Sequence, residues 1–89
     1  MFEKHEIWER CEEYILVHVI FRDLETNLYH LQQTNYLYPG TSASIQEAMA
    51  CHDFYVVDVF WENLPTEREK GYATMHEAIE EHWRDFGGD

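Results

Sequence analysis

The stretch Tyr14–Arg22, YILVHVIFR, decides the fold of this chain. It is dense in β-branched and aromatic residues, and it is too short and too poorly capped for a helix. Because apolar residues occupy both alternating positions, we predict a strand that is buried on both faces and lies centrally in a sheet. Turn-forming residues follow at Asp23–Asn27, and Leu28–Gln33 then alternates. Together these segments predict a hairpin that places His18 and His30 on paired strands.

The segment before this strand predicts an amphipathic first helix. Apolar residues recur at helical spacing from Phe2 to Ile15. No Ser, Thr, Asp or Asn precedes the segment as a cap, so a strand through Ile7 and Trp8 is the alternative. The polar positions of the segment are filled by glutamates, namely Glu3, Glu6, Glu9, Glu12 and Glu13.

The middle of the chain predicts a short helix followed by a second core strand. Ser44 and Glu47 form a capping box, which opens a helix to about His52. Phe54–Trp61, FYVVDVFW, then has the composition of a strand, with Asp58 as its one charged residue. Alternation places Asp58 where one face of the sheet meets solvent. The alternative is a buried carboxyl with a raised pKa that serves as a general acid.

The last third of the chain predicts an exposed loop and then the clearest helix. Residues 62–71 are polar and turn-rich, and a short strand near Tyr72 is compatible with the pattern. Thr74 and Glu77 form a second capping box, and the glycines after Phe86 end the helix. One face of this helix is apolar and carries Met75, Ala78, Ile79, His82, Trp83 and Phe86.

These elements predict one compact domain over residues 1–89, because 89 residues are enough for a single core and too few for two. The fold class is α+β, with a small three- or four-stranded, mainly antiparallel sheet. Two or three helices are expected to pack on one face of that sheet.

The charge of the chain restricts its partners. Eighteen Asp and Glu stand against six Lys and Arg, for a formal net charge of -12. Such a field repels nucleic acids and anionic membranes and attracts basic surfaces. We therefore expect a basic protein surface as partner, and no direct contact with nucleic acid or membrane. The alternative is that the acidity serves only solubility.

The location expected from the sequence is the cytoplasm. No basic and then apolar leader opens the chain, and no apolar run reaches the length of a membrane span. The two cysteines, Cys11 and Cys51, are predicted to be reduced and buried.

No motif indicates catalysis, a metal or a cofactor. His76 and His82 stand six positions apart, whereas the zinc-protease motif needs two histidines four apart on one helical face. Cys51, His52 and Asp53 are consecutive, and consecutive side chains cannot all face one another. Cys51 is therefore interpreted as a core residue and His52 as a residue near a helix C-terminus. We predict a protein that is not an enzyme.

The strongest remaining pattern is a row of carboxylates that could imitate the phosphates of DNA. Acidic residues spaced four apart repeat about every 6 Å along one edge of the last helix. Exposed aromatic rings beside them would anchor the interface. The predicted partner-binding residues are Glu77, Glu80, Glu81 and Asp85 on this helix, Glu6, Glu9 and Glu13 near the N-terminus, and the rings of Trp61 and Tyr72.

In size, acidity and aromatic content the chain is similar to small inhibitors such as anti-CRISPR and anti-restriction proteins of phages, nuclease immunity proteins and acidic antitoxins. The likeness is one of composition. It implies an inhibitor that occupies the basic nucleic-acid-binding surface of a nuclease or defence complex. Two alternatives stay open. One is an adaptor or structural subunit with an apolar interface, including a homodimer, and the other is a small His- and Asp-dependent enzyme or metal protein.

Overall fold

A computed structural model describes residues 1–39 and 45–86, with the side chains of residues 1–39 and 45–84. The predicted cap at Ser44 and the predicted glycine stop after Phe86 lie outside these residues. The elements, in chain order, are β1 (Phe2–Arg10), β2 (Ile15–Asp23), β3 (Tyr29–Leu37), α1 (Ile45–Glu62), α2 (Pro65–Arg68) and α3 (Met75–Phe86).

The three strands form one antiparallel sheet in the order β1-β2-β3, so the predicted central strand is confirmed. The predicted hairpin joins β2 to β3. The Asn27 N–H donates to the Asp23 carbonyl at 2.7 Å, and the Asp23 N–H donates to the Leu28 carbonyl at 2.9 Å. Asn27 has a φ of 66°, a left-handed conformation that asparagine tolerates better than most residues.

The N-terminal segment is a strand, and the predicted first helix is wrong. All nine residues of β1 pair with β2, from Phe2 opposite Asp23 to Arg10 opposite Ile15. β2 has backbone hydrogen-bonding groups along both edges, and β1 satisfies those on one edge. The local periodicity of the segment contains no information about this pairing with β2. The alternative prediction, a strand through Ile7 and Trp8, is the one that the structure shows.

The predicted second core strand, Phe54–Trp61, is also wrong, because these residues form the second half of α1. The helix starts at Ile45 and continues past His52 to Glu62. His52, Val56 and Phe60 recur every four residues and all pack toward the sheet. Their helical spacing outweighs the β propensity of the valines and rings, which is a weak and context-dependent preference.

The core has two parts, one on each face of the sheet. The face that carries Val17, Val19 and Phe21 packs against α1, with Val56 at the centre of the contact. The opposite face carries Ile20 and packs against Ala78 of α3. The α+β class with a three-stranded antiparallel sheet is confirmed, but α1 and α3 lie on opposite faces rather than on one. The reason is that β2 is apolar on both sides, so each side needs a cover.

The segment after α1 is only partly the exposed loop that was predicted. It contains the short helix α2, and Pro65 is buried. Tyr72 forms an isolated antiparallel bridge with Tyr29 at the outer edge of β3, where a short strand was expected. None of the helices within residues 1–39 and 45–86 has the length and apolar character needed to span a bilayer.

The helix α3 begins as the capping box predicts. The Glu77 N–H donates to the Thr74 hydroxyl at 3.1 Å, and the Ala73 N–H donates to the Glu77 carboxylate at 3.2 Å. The first bond satisfies one of the N–H groups that a helix start leaves without partners, and the second holds the residue that precedes the cap.

Candidate functional site: the outer face of helix α1

The outer face of α1 is apolar and exposed. Phe54, Val57 and Trp61 are 64%, 68% and 86% exposed, and their spacing places them on one side of the helix. We call this surface, Phe54, Val57 and Trp61 with the acidic residues between them, the α1 outer face. A helix that is apolar on all sides is normally buried on all sides, yet the described residues cover only the inner side of α1. The described residues leave this outer side exposed, and exposed apolar patches of this kind are typical of interaction surfaces.

The charges on this face are all negative. α1 contains no Lys or Arg. Asp53, Asp58 and Glu62 are exposed, and none of them forms an ion pair with another residue in the described part of the chain. Asp58 accordingly lies in solvent as alternation suggested, although on a helix rather than on a strand. The face thus combines large apolar side chains with free carboxylates.

A pocket of about 310 Å³ opens at one side of this face, between α1 and strands β1 and β2. Its lining is almost entirely apolar. The residues around it are Lys4, Phe21, Val56, Val57, Phe60 and Trp61.

A chain of polar groups holds the inner side of α1 on the sheet. His52 is buried, and its Nε2–H donates to the Glu6 carboxylate at 2.9 Å, while Asn35 Nδ2 donates to His52 Nδ1 at 2.8 Å. Asn35 in turn accepts a hydrogen bond from Gln33 at 3.0 Å. Because both ring nitrogens of His52 are bonded, the imidazole is not available as a base for the neighbouring Cys51. This group connects β1, β3 and α1, and its role is structural.

Glu6 therefore faces inward and not toward a partner. Partial burial raises the pKa of the Glu6 carboxyl, but hydrogen bonds from His52 and Trp8 and the nearby Lys4 ammonium outweigh that effect and hold the pKa below its ordinary value. The predicted position of His52 near a helix C-terminus is wrong, since it lies in the middle of α1. Cys51 is exposed rather than buried, and both it and the half-buried Cys11 are free thiols.

A second buried histidine lies on the opposite face of the sheet. His18 Nδ1 shares a hydrogen bond of 3.0 Å with the Thr34 hydroxyl, and its Nε2 lies 3.6 Å from the Glu9 carboxylate. Burial lowers the pKa of His18 below its ordinary value, against the opposing pull of Glu9, and His82 adds to the lowering. Glu9 thus lies at the mouth of this site with its side chain largely exposed.

The acidic row on α3 is largely engaged within the chain. Glu77 caps the helix, Glu80 lies 3.3 Å from His76, and Glu81 is paired with Arg84. These contacts occupy carboxylates that the sequence pattern counts as free. The side chain of Asp85 lies outside the described part of the structure.

The other predicted contact residues are scattered. Glu13 is exposed in the turn between β1 and β2, and Trp61 is the most exposed ring in the α1 outer face. Tyr72 is half-buried and packs against the core under α3, with the Lys70 ammonium 5.7 Å from its ring centre. The structure therefore brings the predicted acidic and aromatic residues to several surfaces, not to one.

Sequence reasoning missed Phe54 and Val57 as exposed residues because it treated their segment as a buried strand. One signal could have found them: read as a single helix, residues 45–62 place apolar side chains on every side.

Within residues 1–39 and 45–84, no three His, Cys, Asp or Glu side chains converge in a way that could hold a metal ion. Comparisons of the chain with protein-family models, with curated proteins and with solved structures each found no match. The function proposed below therefore rests on the chain's own geometry and charge.

Proposed function

We propose that this chain is a non-enzymatic binding protein of the inhibitor type, which docks its α1 outer face on a basic surface of a partner protein. The partner surface is one that otherwise binds nucleic acid, as in a nuclease or a defence complex. The observation that carries the proposal is the α1 outer face itself, where Phe54, Val57 and Trp61 are exposed beside carboxylates that form no ion pair within the described residues.

The apolar residues supply the affinity of this interface. Binding energy in protein interfaces is concentrated in a few large side chains, and Trp is the residue type most enriched among them. Trp61 projects into solvent at 86% exposure, and Val57 and Phe54 follow it along the helix. Leaving such side chains in water has a cost that binding removes.

The carboxylates select a basic partner. Asp53, Asp58 and Glu62 surround the exposed rings, and the whole chain carries a net charge of -12. This field accelerates encounter with Lys- and Arg-rich surfaces and disfavours acidic ones. A second copy of this chain is disfavoured for the same reason, because pairing α1 with α1 would bring like charges together without any Lys or Arg from either helix.

The α1 outer face also replaces the α3 row as the main contact surface in this proposal. α1 and α3 lie on opposite faces of the sheet, so one flat partner surface cannot cover both. Among the described side chains of the two helices, which end at Arg84, only those of α1 combine exposed rings with carboxylates that form no ion pair. The DNA-like charge of the chain then acts mainly through long-range attraction, and α1 makes the close contacts.

Site-specific photocrosslinking tests the proposal. Trp61 is replaced by p-benzoylphenylalanine in one variant and Leu24, an exposed apolar residue in the β2–β3 turn, in a matched control. We expect the first variant to crosslink a basic nucleic-acid-binding protein in host lysate and the second not to do so. The purified partner should then bind the unmodified chain, lose affinity at high salt and be displaced by duplex DNA.

Two further variants decide which helix is used. Trp61→Asp should weaken binding of the purified partner strongly, and the double variant Glu77→Lys and Glu81→Lys should weaken it only through the change in net charge. Equal crosslinking from both positions, or full binding by Trp61→Asp, would overturn the proposal. Loss of binding only in the Glu77→Lys and Glu81→Lys double variant would show that the acidic row on α3 is the contact surface.

A further inference from the structure

The pocket beside the α1 outer face is lined by aromatic rings. The Phe21 and Phe60 ring centres lie 4.9 Å apart, and Phe2 meets Phe60 edge-on at 5.8 Å. Val57 and Trp61 form the wall on the helix side. An aromatic guest would meet ring faces and ring edges here, which are the contacts that aromatic groups favour.

The size of the pocket suits one large ring. A closed apolar cavity of about 150 Å³ in another protein stays dry and binds benzene. The pocket here measures about 310 Å³ and is open to solvent on one side. It therefore has room for an indole, phenol or phenyl group that enters from outside.

The charges around the mouth favour a cationic neighbour for that ring. The Lys4 ammonium is the one cation at the pocket, and it lies 3.6 Å from the Glu6 carboxylate, which offsets its charge. Its alkyl stem can line the apolar wall. On the helix side, Asp58 and Glu62 flank Trp61 without forming an ion pair in the described part of the chain.

We infer that this pocket seats an aromatic side chain of the partner that is flanked by Arg or Lys. The ring fills the apolar pocket, and the flanking cations pair with Asp58 and Glu62. The inference rests on the proposed function, because it names the chemistry of the partner segment that the α1 outer face recognises.

Short peptides of defined charge test the inference directly. The probe is acetyl-Arg-Trp-Arg-amide, and its controls are acetyl-Arg-Ala-Arg-amide, which lacks the ring, and acetyl-Glu-Trp-Glu-amide, which lacks the cations. Binding is followed by two-dimensional amide NMR. We expect saturable shifts at Lys4, Phe21 and Val57 with the probe, and an affinity at least about tenfold lower for each control.

Two variants then test whether the probe occupies the pocket. Val57→Phe fills part of the pocket and should lower the affinity of the probe about tenfold, whereas Leu24→Ser changes an exposed apolar residue in the β2–β3 turn and should leave the probe affinity unchanged. Both residues are exposed, so both variants are expected to fold, and thermal unfolding checks this. If Val57→Phe does not fold, Trp61→Ala removes the other residue of the same helix wall and serves the same purpose.

The crosslinked partner distinguishes failure of this inference from failure of the proposed function. If the partner loses affinity in both Phe54→Asp and Val57→Phe, both hold. If Phe54→Asp weakens binding of the partner but Val57→Phe does not, the α1 outer face is the contact surface and the pocket assignment is overturned. If neither weakens the partner, both proposals fall. Equal binding of all three peptides also overturns the pocket assignment.

Discussion

Helices α1 and α3 cover opposite faces of the same strand, yet their outer sides differ. On α3 the outward glutamates cap the helix or pair with His76 and Arg84. On α1 the outward side chains include Phe54, Val57 and Trp61, with carboxylates that make no ion pair in the described part of the chain. Among the described residues, the outward glutamates of α3 are therefore engaged within the chain, whereas the outer side of α1 stays exposed.

The largest effect is expected from the core that holds α3. Ile20 is fully buried and packs against Ala78, so Ile20→Ala should lower the free energy of unfolding by about 2–5 kcal/mol. Phe54→Ala on the outer side of α1 should change it by less than about 0.5 kcal/mol. Urea denaturation measures both. A similar loss of unfolding free energy in the two variants would show that the outer side of α1 is covered within the chain and would contradict the difference between α1 and α3.

The next effect concerns binding rather than stability. Trp61→Asp should weaken the binding free energy of the partner by about 2 kcal/mol or more, because it removes the most exposed ring of the α1 outer face. The free energy of unfolding should stay within about 0.5 kcal/mol of the unmodified chain. Titration calorimetry with the purified partner measures the first quantity. Leu24→Asp carries the same charge change elsewhere and should weaken binding far less.

The inner side of α1 offers the third test. His52→Ala leaves the Glu6 carboxylate and the Asn35 amide without their partner, which should cost about 1–3 kcal/mol in the free energy of unfolding. Its neighbour Cys51 is exposed, so Cys51→Ala is a matched control with an expected change below about 0.5 kcal/mol. An unchanged free energy of unfolding in His52→Ala would show that the hydrogen bonds of His52 to Glu6 and Asn35 do not hold α1 on the sheet.

A smaller effect is expected at the start of α3. Thr74→Ala removes the hydroxyl that accepts the Glu77 N–H and should cost about 1 kcal/mol. Thr74→Ser keeps a hydroxyl at the same place and should retain most of that stability. Thermal unfolding compares the two variants, and equal destabilisation would mean that the cap is not the cause.

The pH dependence of stability is expected to differ between the two faces of the sheet, through His18 on one face and Glu6 on the other. Because burial lowers the pKa of His18 in the folded chain, the unfolded chain binds more protons as the pH falls through about 6.5. The contribution of His18 to stability therefore decreases below that pH, down to its folded pKa. Glu6 has a lowered pKa, so its contribution is lost only in more acidic solution, as the pH falls below its ordinary value of 4.5.

Denaturation curves at several pH values check this order. His18→Gln should flatten the stability profile just below pH 6.5 and leave the more acidic limb in place. An unchanged slope in His18→Gln would mean that His18 titrates normally in the folded chain.

Local signals were sufficient for three parts of the fold. The strand β2, the turn to β3 and the capped start of α3 each follow from residues that are close in sequence. Such signals failed for β1 and for the second half of α1. In both places the local pattern is ambiguous, and contacts with distant parts of the chain selected the other structure.

The candidate site was predictable only in part, and the reason is the same. The chemistry of the interface, acidic and aromatic, follows from the composition, and Trp61 was among the predicted residues. Which carboxylates are free does not follow from spacing. Glu6 is held by His52 from a helix far away in sequence.

Three features follow from the amino-acid sequence alone, namely the net charge, the number of large rings and the doubly apolar strand β2. They are properties of residues and of short segments. The tertiary structure alone decided that α1 and α3 lie on opposite faces, that His52 is buried against Glu6, and that Phe54, Val57 and Trp61 remain outside. The physical reason is that burial and charge pairing depend on which surfaces meet. One sheet with two faces can cover only the inner side of each helix.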